Sequence, residues 1–439
     1  MDWSVRAKVA ANSAAYFEQT LITDNGFREY DVRWRLGAEV NPNGFLVLGR
    51  AYATYAREVL KEEAVVLAHD FRSYSQDLAR SFTVGLLSAG VRVVDIGLAL
   101  TPILYFAQHH LGLRAGVMVT ASHNENGWTG LKLASGLSST LGPEGIQQFK
   151  RIVMGGKFAQ GSGSYETADD VFDAYVAEVA KPGKLARPMR VVLATGNGTA
   201  GRFAPTVLRA LGAEVVEVDT NLDWTFPRFN PNPEDVAFLH SIGEAVRANQ
   251  AELGIGIDGD GDRIGVVDAE GKEVFSDKAG LLVSRSLARE RPGRKIVIDV
   301  KSTGLYFTDE VLKKAGAEIV LTKTGHSYVK AAVAEQNALA GFERSGHWFF
   351  NPPYGRGYDD AMNGAVQFLR MLDREGKTVG ELAAALPRTF QSPTMGVFCP
   401  DERKYAVTDG VTELYRKDMA AGAKIGGKRI ANLITVNGV

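Results

Sequence analysis

One cysteine, Cys399, stands in the 439 residues, so a disulfide framework is excluded and a reducing, cytoplasmic setting is expected. No apolar run approaches the roughly 20 residues that cross a bilayer. The opening Met1-Asp2-Trp3-Ser4-Val5-Arg6 lacks the continuous apolar stretch of a secretory signal. An excess of charge of one sign is missing too: 50 Lys and Arg against 51 Asp and Glu leave a net charge of −1. No global field therefore draws the chain to nucleic acid or to a membrane surface. What remains, at 45% hydrophobic and 23% charged residues, is an ordinary globular composition. The length suggests about three domains.

Three segments share one pattern. Gly85-Leu-Leu-Ser-Ala-Gly90-Val-Arg-Val-Val-Asp95, Val207-Leu-Arg-Ala-Leu-Gly212-Ala-Glu-Val-Val-Glu217 and Val311-Leu-Lys-Lys-Ala-Gly316-Ala-Glu-Ile-Val-Leu321 each read as a helix end, a glycine and a β-branched strand. The glycine takes the left-handed position just past the helix, which costs it almost nothing. The copies recur at domain-sized intervals. An apolar strand precedes each copy, at 64–68, 190–194 and 295–300. A helix and another strand follow, the strands at 116–120, 253–257 and 338–342. This is β-α-β-α-β three times over, so three topologically similar, mixed and mostly parallel α/β domains are expected. From about Gln391 the pattern becomes strand (394–399), helix (407–419) and strand (429–436), and Asn437-Gly438 signals a hairpin. A small C-terminal α+β domain, cut part-way through, is expected there. The divisions fall at 1–165, 166–271, 272–388 and 389–439.

In open α/β sheets the ligand lies beyond the carboxyl ends of the strands. The third strand of each unit runs straight into a polar motif, and three equivalent strand ends imply one shared cleft. The most distinctive is Asp258-Gly-Asp260-Gly-Asp262-Arg263. Three carboxylates at every second position would repel one another unless a cation sits among them, and the glycines let the chain curl so that their oxygens converge. Hard divalent ions want such oxygen ligands, and Mg²⁺ leaves positions open for phosphate. An EF-hand loop would carry Gly and Glu at its sixth and twelfth positions, where Arg263 and Ala269 stand. Arg263 suits a second anion beside the metal, such as a phosphoryl oxygen.

The first unit's strand ends in Thr120-Ala121-Ser122-His123-Asn124, with Lys132 soon after. A serine there is most often a cap or a turn residue. Opposite a metal cage, Ser122 could instead carry a phosphoryl group whose oxygens complete the shell. His123 and Lys132 would be cations beside it, and Lys132 or His326 a proton carrier. The nucleophile elbow of α/β-hydrolases is not matched, because glycine is missing on both flanks. The third unit ends in Glu343-Arg344-Ser345-Gly346-His347, where a carboxylate and a hydroxyl could read neighbouring sugar hydroxyls. Lys301 and His326 follow earlier strands of that unit and face the same cleft. Tyr30 and Arg33, ahead of the first unit, read either as surface ion pairing or as a clamp on phosphate.

One motif points elsewhere. Gly196-Asn-Gly198-Thr-Ala-Gly201 follows a strand, and Glu217 lies about twenty residues on, which satisfies the dinucleotide fingerprint of a nicotinamide dehydrogenase. The same glycines could serve a tight turn and close helix–strand packing. That reading is preferred, since hydride transfer would leave three strand-end motifs unexplained.

Taken together and in order, these motifs resemble the α-D-phosphohexomutase family, in its bacterial phosphomannomutase/phosphoglucomutase branch, over nearly the whole chain. Ser122 is similar to the family's phosphoserine, Asp258, Asp260 and Asp262 to its magnesium loop, and Glu343, Ser345 and His347 to its sugar-recognition loop. The resemblance implies an isomerase that interconverts hexose 1- and 6-phosphates (mannose or glucose) through a phosphoserine and a hexose 1,6-bisphosphate, which also acts as activator. It implies Mg²⁺ as cofactor, with Ser122 and the three aspartates as ligands, and small-molecule sugar phosphates as partners. His123, Lys132, Arg263 and His326 would be catalytic. Tyr30, Arg33, Lys301, Glu343, Ser345 and His347 would bind substrate. A monomer or weak dimer is expected. Phosphoglucosamine mutase is the nearest alternative on the same scaffold. Two departures stand out: Glu125 where many members carry proline, and Trp34 in place of a common glycine. The family's fourth-domain phosphate loop has no counterpart in the residues present.

Overall fold

The structure, a computed structural model, describes residues 19–389, 398–400, 403–425 and 428–429. The three expected α/β units are there, each a sheet flanked by helices. The first sheet has seven strands, the second five and the third four. Each has a parallel core: Ala64–His69 between Arg92–Leu98 and Ala115–Val119, with Tyr165–Thr167 parallel beyond Arg92–Leu98, Arg190–Ala194 between Glu214–Val218 and Leu253–Ile257, and Lys295–Asp299 between Glu318–Thr322 and Ala340–Phe342. Their middle strands are covered on both faces, which is why they read as nearly unbroken apolar runs. Gly90, Gly212 and Gly316 all have positive φ, at +84°, +86° and +66°, as a helix-terminating glycine requires.

Each unit also contains an antiparallel strand that the sequence pattern did not disclose. Trp128–Gly136 returns along Ala115–Val119, Ile264–Asp268 along Leu253–Ile257, and Trp348–Phe350 along Ala340–Phe342. The three polar motifs are thus the turns of three equivalent hairpins at the carboxyl ends of the sheets. One contiguous buried cluster runs from Val66 and Met118 through Leu193 and Ile255 to Ile298 and Phe342, and this continuity holds the hairpin turns in fixed relation. Trp34 belongs to the first unit's core: it is fully buried, packs edge-on to Phe27 and donates Nε1–H to the Thr23 carbonyl at 2.8 Å.

At the C-terminus the expected helix runs from Lys404–Ala420. The expected 394–399 strand lies mostly outside the described residues, and Phe398 and Cys399 carry no strand. Arg429 pairs with Lys424 in a short hairpin. The rest of the 429–436 strand and the Asn437-Gly438 turn lie outside the described residues.

The helix Ala361–Glu375 begins at Asp360, whose carboxylate accepts from the Asn363 amide and from the Tyr175 hydroxyl at 2.8 Å. Burial pushes the Asp360 carboxyl up from its ordinary 3.8 to about 7. Between those values the folded protein binds the proton and the unfolded chain does not, so this residue lowers stability as pH rises from about 4 to about 7. The loss is a few kcal/mol, at roughly 1.4 kcal/mol per pH unit. Asp360→Asn is expected to flatten that slope in denaturant titrations at pH 5 and pH 8. An identical slope in the variant would contradict the assignment.

Candidate active site

The turn at Asp258 is built by its own carboxylate. Asp258 Oδ1 accepts the amides of Gly261, Asp262 and Arg263 at 3.0–3.1 Å, and Gly261 adopts φ +80°. Two helix N-termini hold the turn from outside. Thr101 donates its amide to the Asp260 carbonyl at 2.9 Å and its hydroxyl to Asp260 Oδ2 at 2.7 Å, and the Ala361 amide reaches the Gly261 carbonyl at 3.1 Å. The result is the convergence expected: carboxylate oxygens of Asp258, Asp260 and Asp262 lie within 4.8 Å of one another, all three residues fully buried. Lys132 Nζ sits 2.9 Å from Asp260 and contacts Asp262.

The cations around the trio do not neutralise it, because His347 is shared with Glu343 and Arg263 with Glu234. Asp258 shows the deficit: burial, then the charges of Asp262 and Asp260, push its carboxyl well above the usual range. Oδ1 of Asp260 has no hydrogen-bond partner, and that of Asp262 faces only the His347 imidazole at 3.3 Å. An all-oxygen site with residual negative charge and an unpartnered oxygen fits a hard divalent cation.

The serine turn faces it. Ser122 takes a left-handed φ of 53° and places Oγ 3.5 Å from Asp258 Oδ2 and 3.1 Å from His123 Nδ1. A Cβ on Gly259 would come within 2.7 Å of the Ser122 carbonyl, so only glycine lets the two turns approach. Arg33 is tied to the serine turn, with Nη1 at 2.6 Å from the Ala121 carbonyl and 3.0 Å from Asn124 Oδ1. Burial, then Arg263 and Arg33, hold the His123 imidazole well below its ordinary pKa. The expected cation at His123 is therefore a neutral ring in this state. Lys132 has the opposite fate. Burial opposes its charge, but Asp260 and Asp262 outweigh burial and raise its pKa, so beside these carboxylates it is an ammonium.

The third turn joins the other two. The Ile264 amide donates to the Gly346 carbonyl at 3.0 Å, which threads the metal turn onto the 343–347 turn. Glu343 Oε1 accepts the Gly325 amide at 2.6 Å, and Oε2 accepts from His347 Nδ1 at 2.7 Å and Ser345 Oγ at 3.1 Å. His347 also stands 3.3 Å from Asp262. Burial works against the His347 charge, yet Asp262 and Glu343 hold its pKa up at about 10. His326 is the reverse: burial, then Lys132 and Lys330, keep it neutral, and neither ring nitrogen has a hydrogen-bond partner.

All these residues border one cavity of about 650 Å³, lined by Tyr30, Arg33, Ser122, His123, Lys132, Arg263, Lys301, His326, Glu343, Ser345 and His347. Tyr30 stacks edge-on to His326 at 4.9 Å. Asp258, Asp260 and Asp262 lie behind that lining, against Ser122 and Lys132. Sequence reasoning did not find Thr101, or Asp359 with Lys330, which are paired at 2.9 Å and buried beside His326. Asp359 precedes a helix start and looks like a cap, and only the packing shows it turned inward.

The dinucleotide-like segment encloses almost nothing. A Cβ on Gly201 would lie 2.0 Å from the Thr220 carbonyl, and Gly198 packs against Gly259. The space beside it amounts to about 10 Å³, room for one water and not for a pyrophosphate.

The chain matches the family described as phosphoglucomutase/phosphomannomutase, through its alpha/beta/alpha domains I, II and III, at residues 24–159, 173–271 and 275–390. It is 31% identical over 385 residues to a phosphomannomutase/phosphoglucomutase of Pseudomonas aeruginosa, covering 88% of this chain and 82% of that protein. It is 32% identical over 415 residues to a phosphoglucomutase of Neisseria meningitidis, covering 94% and 87%. Among solved structures, a phosphoglucomutase/phosphomannomutase family protein from Burkholderia thailandensis superposes with a TM-score of 0.80 at 33% identity, over 85% of this chain and 82% of that one. Three matched domains in their order, on three hairpin turns that meet around one cavity, establish that this chain belongs to the phosphoglucomutase/phosphomannomutase family.

Proposed function

We propose that the chain interconverts hexose 1-phosphate and hexose 6-phosphate, with mannose and glucose as the sugars, through phosphoserine 122 and a hexose 1,6-bisphosphate that also serves as activator. The observation that carries this reading is one hydroxyl, Ser122 Oγ, 3.5 Å from a carboxylate of a buried acidic trio at the edge of a cation-lined cavity. Units 1–165, 166–271 and 272–388 would supply the phosphoserine, the metal and the sugar contacts, and 389–439 part of a phosphate-binding domain. Mg²⁺ is the ion we assign to Asp258, Asp260, Asp262 and Ser122. Bound there, it would neutralise oxygens of the phosphoryl group in transfer.

The chain's own residues account for the rest. The free sugar hydroxyl gives its proton to a base as its oxygen bonds phosphorus and the bond from phosphorus to Ser122 Oγ breaks. The serine oxygen takes up a proton in turn. The bisphosphate then reorients, and the reverse sequence returns the other phosphoryl group to Ser122. Of the two candidate bases, Lys132 and His326, we assign the role to His326, neutral and with neither ring nitrogen hydrogen-bonded on the cavity wall. Arg263 and Lys301 face the same cavity and would hold phosphate. Glu343 and Ser345, already fixed by Gly325 and His347, keep lone pairs for sugar hydroxyls. His347, Tyr30 and Arg33 complete the wall.

The test is turnover of mannose 1-phosphate, glucose 1-phosphate and glucosamine 1-phosphate with Mg²⁺, alongside intact mass for one added phosphoryl group. Turnover of glucosamine phosphate alone would assign the chain to that alternative, and no turnover of any would end the reading. His326→Gln is expected to lower kcat by about 10²–10⁴-fold with little change in KM. A variant at wild-type kcat would remove His326 as the base.

A further inference from the structure

Beneath the serine turn, on the side away from the cavity, lies a buried guanidinium that no step above uses. Arg72 Nη2 donates to the carbonyls of Ser122 at 2.9 Å and Asn124 at 2.6 Å, and Nη1 to that of Glu125 at 3.2 Å. Three carbonyls of one turn are gathered on one planar fork, a geometry that five fixed N–H donors allow and an ammonium does not. Asp70 holds the fork, at 3.3 Å from Arg72 Nε. The same carboxylate accepts the Thr120 hydroxyl at 2.7 Å, and the Thr120 oxygen accepts the Ser122 amide at 2.9 Å. Arg72 and Asp70 are 5% and 3% exposed, so water does not replace these bonds.

The second domain closes this assembly. The Phe226 ring lies over the Arg72 guanidinium at 5.3 Å. Thr199, inside the dinucleotide-like segment, accepts the Phe71 amide at 3.0 Å, while Gly259 packs against the serine carbonyl and Gly198 against Gly259. The segment that mimics a nucleotide fingerprint thus serves as a platform against the first domain. The left-handed Ser122, an uncommon backbone state for serine, persists because its amide and its carbonyl are held from below.

We propose that Arg72, seated by Phe226, is the positioning residue that aims Ser122 Oγ at the acidic trio. It touches no substrate from where it lies, and its effect passes through the serine turn. The proposal rests on Ser122 being the phosphate carrier. Displacing a reacting group by about 1 Å costs on the order of 10²-fold in rate, so that is the expected loss of kcat in Arg72→Lys, with KM for glucose 1-phosphate within about threefold of wild type.

Four variants test it: Arg72→Lys, Arg72→Ala, Phe226→Leu and Ser122→Ala, each with kcat, KM, thermal midpoint and the rate at which glucose 1,6-bisphosphate phosphorylates Ser122, followed by intact mass. Support is a fall in kcat and in phosphorylation rate by the same factor, about 10²-fold for Arg72→Lys and about tenfold for Phe226→Leu, at a near wild-type midpoint. Wild-type kcat in Arg72→Lys overturns the proposal, as does a loss that appears only where the midpoint has dropped. Inactive Ser122→Ala beside fully active Arg72 variants sinks this proposal alone, whereas active Ser122→Ala sinks the phosphoserine reading and this with it.

Discussion

Ser122→Ala is expected to lower turnover by about 10⁴-fold or more, since removing a covalent carrier leaves only binding and electrostatic assistance. The substitution deletes one oxygen whose described partners are His123 and Asp258. The backbone contacts of the turn are made by its amide and carbonyl and remain. Stability should therefore move by about 1 kcal/mol or less, and substrate binding should survive. Kinetics, thermal denaturation and intact mass after incubation with glucose 1,6-bisphosphate together decide the matter. The variant should bind sugar phosphate, stay folded and gain no phosphoryl group. Retained turnover, or phosphate acquired elsewhere, would reassign the carrier.

Asp258→Asn separates the metal's role from that of the turn it occupies. Asparagine keeps an Oδ1 to accept the Gly261, Asp262 and Arg263 amides, so the hairpin should survive. What disappears is a buried negative charge facing Ser122. Loss of several kcal/mol of charge stabilisation in the transition state corresponds to about a 10³-fold fall in kcat at roughly 1.4 kcal/mol per decade. Stability should move the other way. Burial and two neighbouring carboxylates already penalise the Asp258 charge, so the metal-free variant should be at least as stable as wild type at neutral pH. Mg²⁺ should raise the thermal midpoint of wild type and leave that of the variant nearly unmoved. Equal Mg²⁺ affinity of the two by calorimetry would disprove the assignment of the site.

Much of this was legible without coordinates because it is local. The strands Arg190–Ala194 and Leu253–Ile257 fall where their apolar runs place them, and the three helix-ending glycines take the conformation their spacing requires. The Asp-Gly repeat betrays a cation site because like charges so close together need one. Other features depend on partners far along the chain. Arg72 is one charged residue in an ordinary turn until the Ser122, Asn124 and Glu125 carbonyls are brought to it. Asp359 resembles a helix cap until Lys330 and His326 pack beside it. The return strand Trp348–Phe350 is three residues long, too short for alternation to register.

The amino-acid order by itself determined three like sheets, the turns that end their strands and the chemical kinds of group in those turns, because periodicity, glycine conformation and charge repulsion act over a few residues. Tertiary packing alone decided protonation and aim. Burial together with charges from other domains makes His326 neutral and keeps His347 and Lys132 charged, and a continuous apolar core brings the serine hydroxyl against the acid cluster. Those outcomes depend on distances between residues far apart along the chain, which no local pattern encodes.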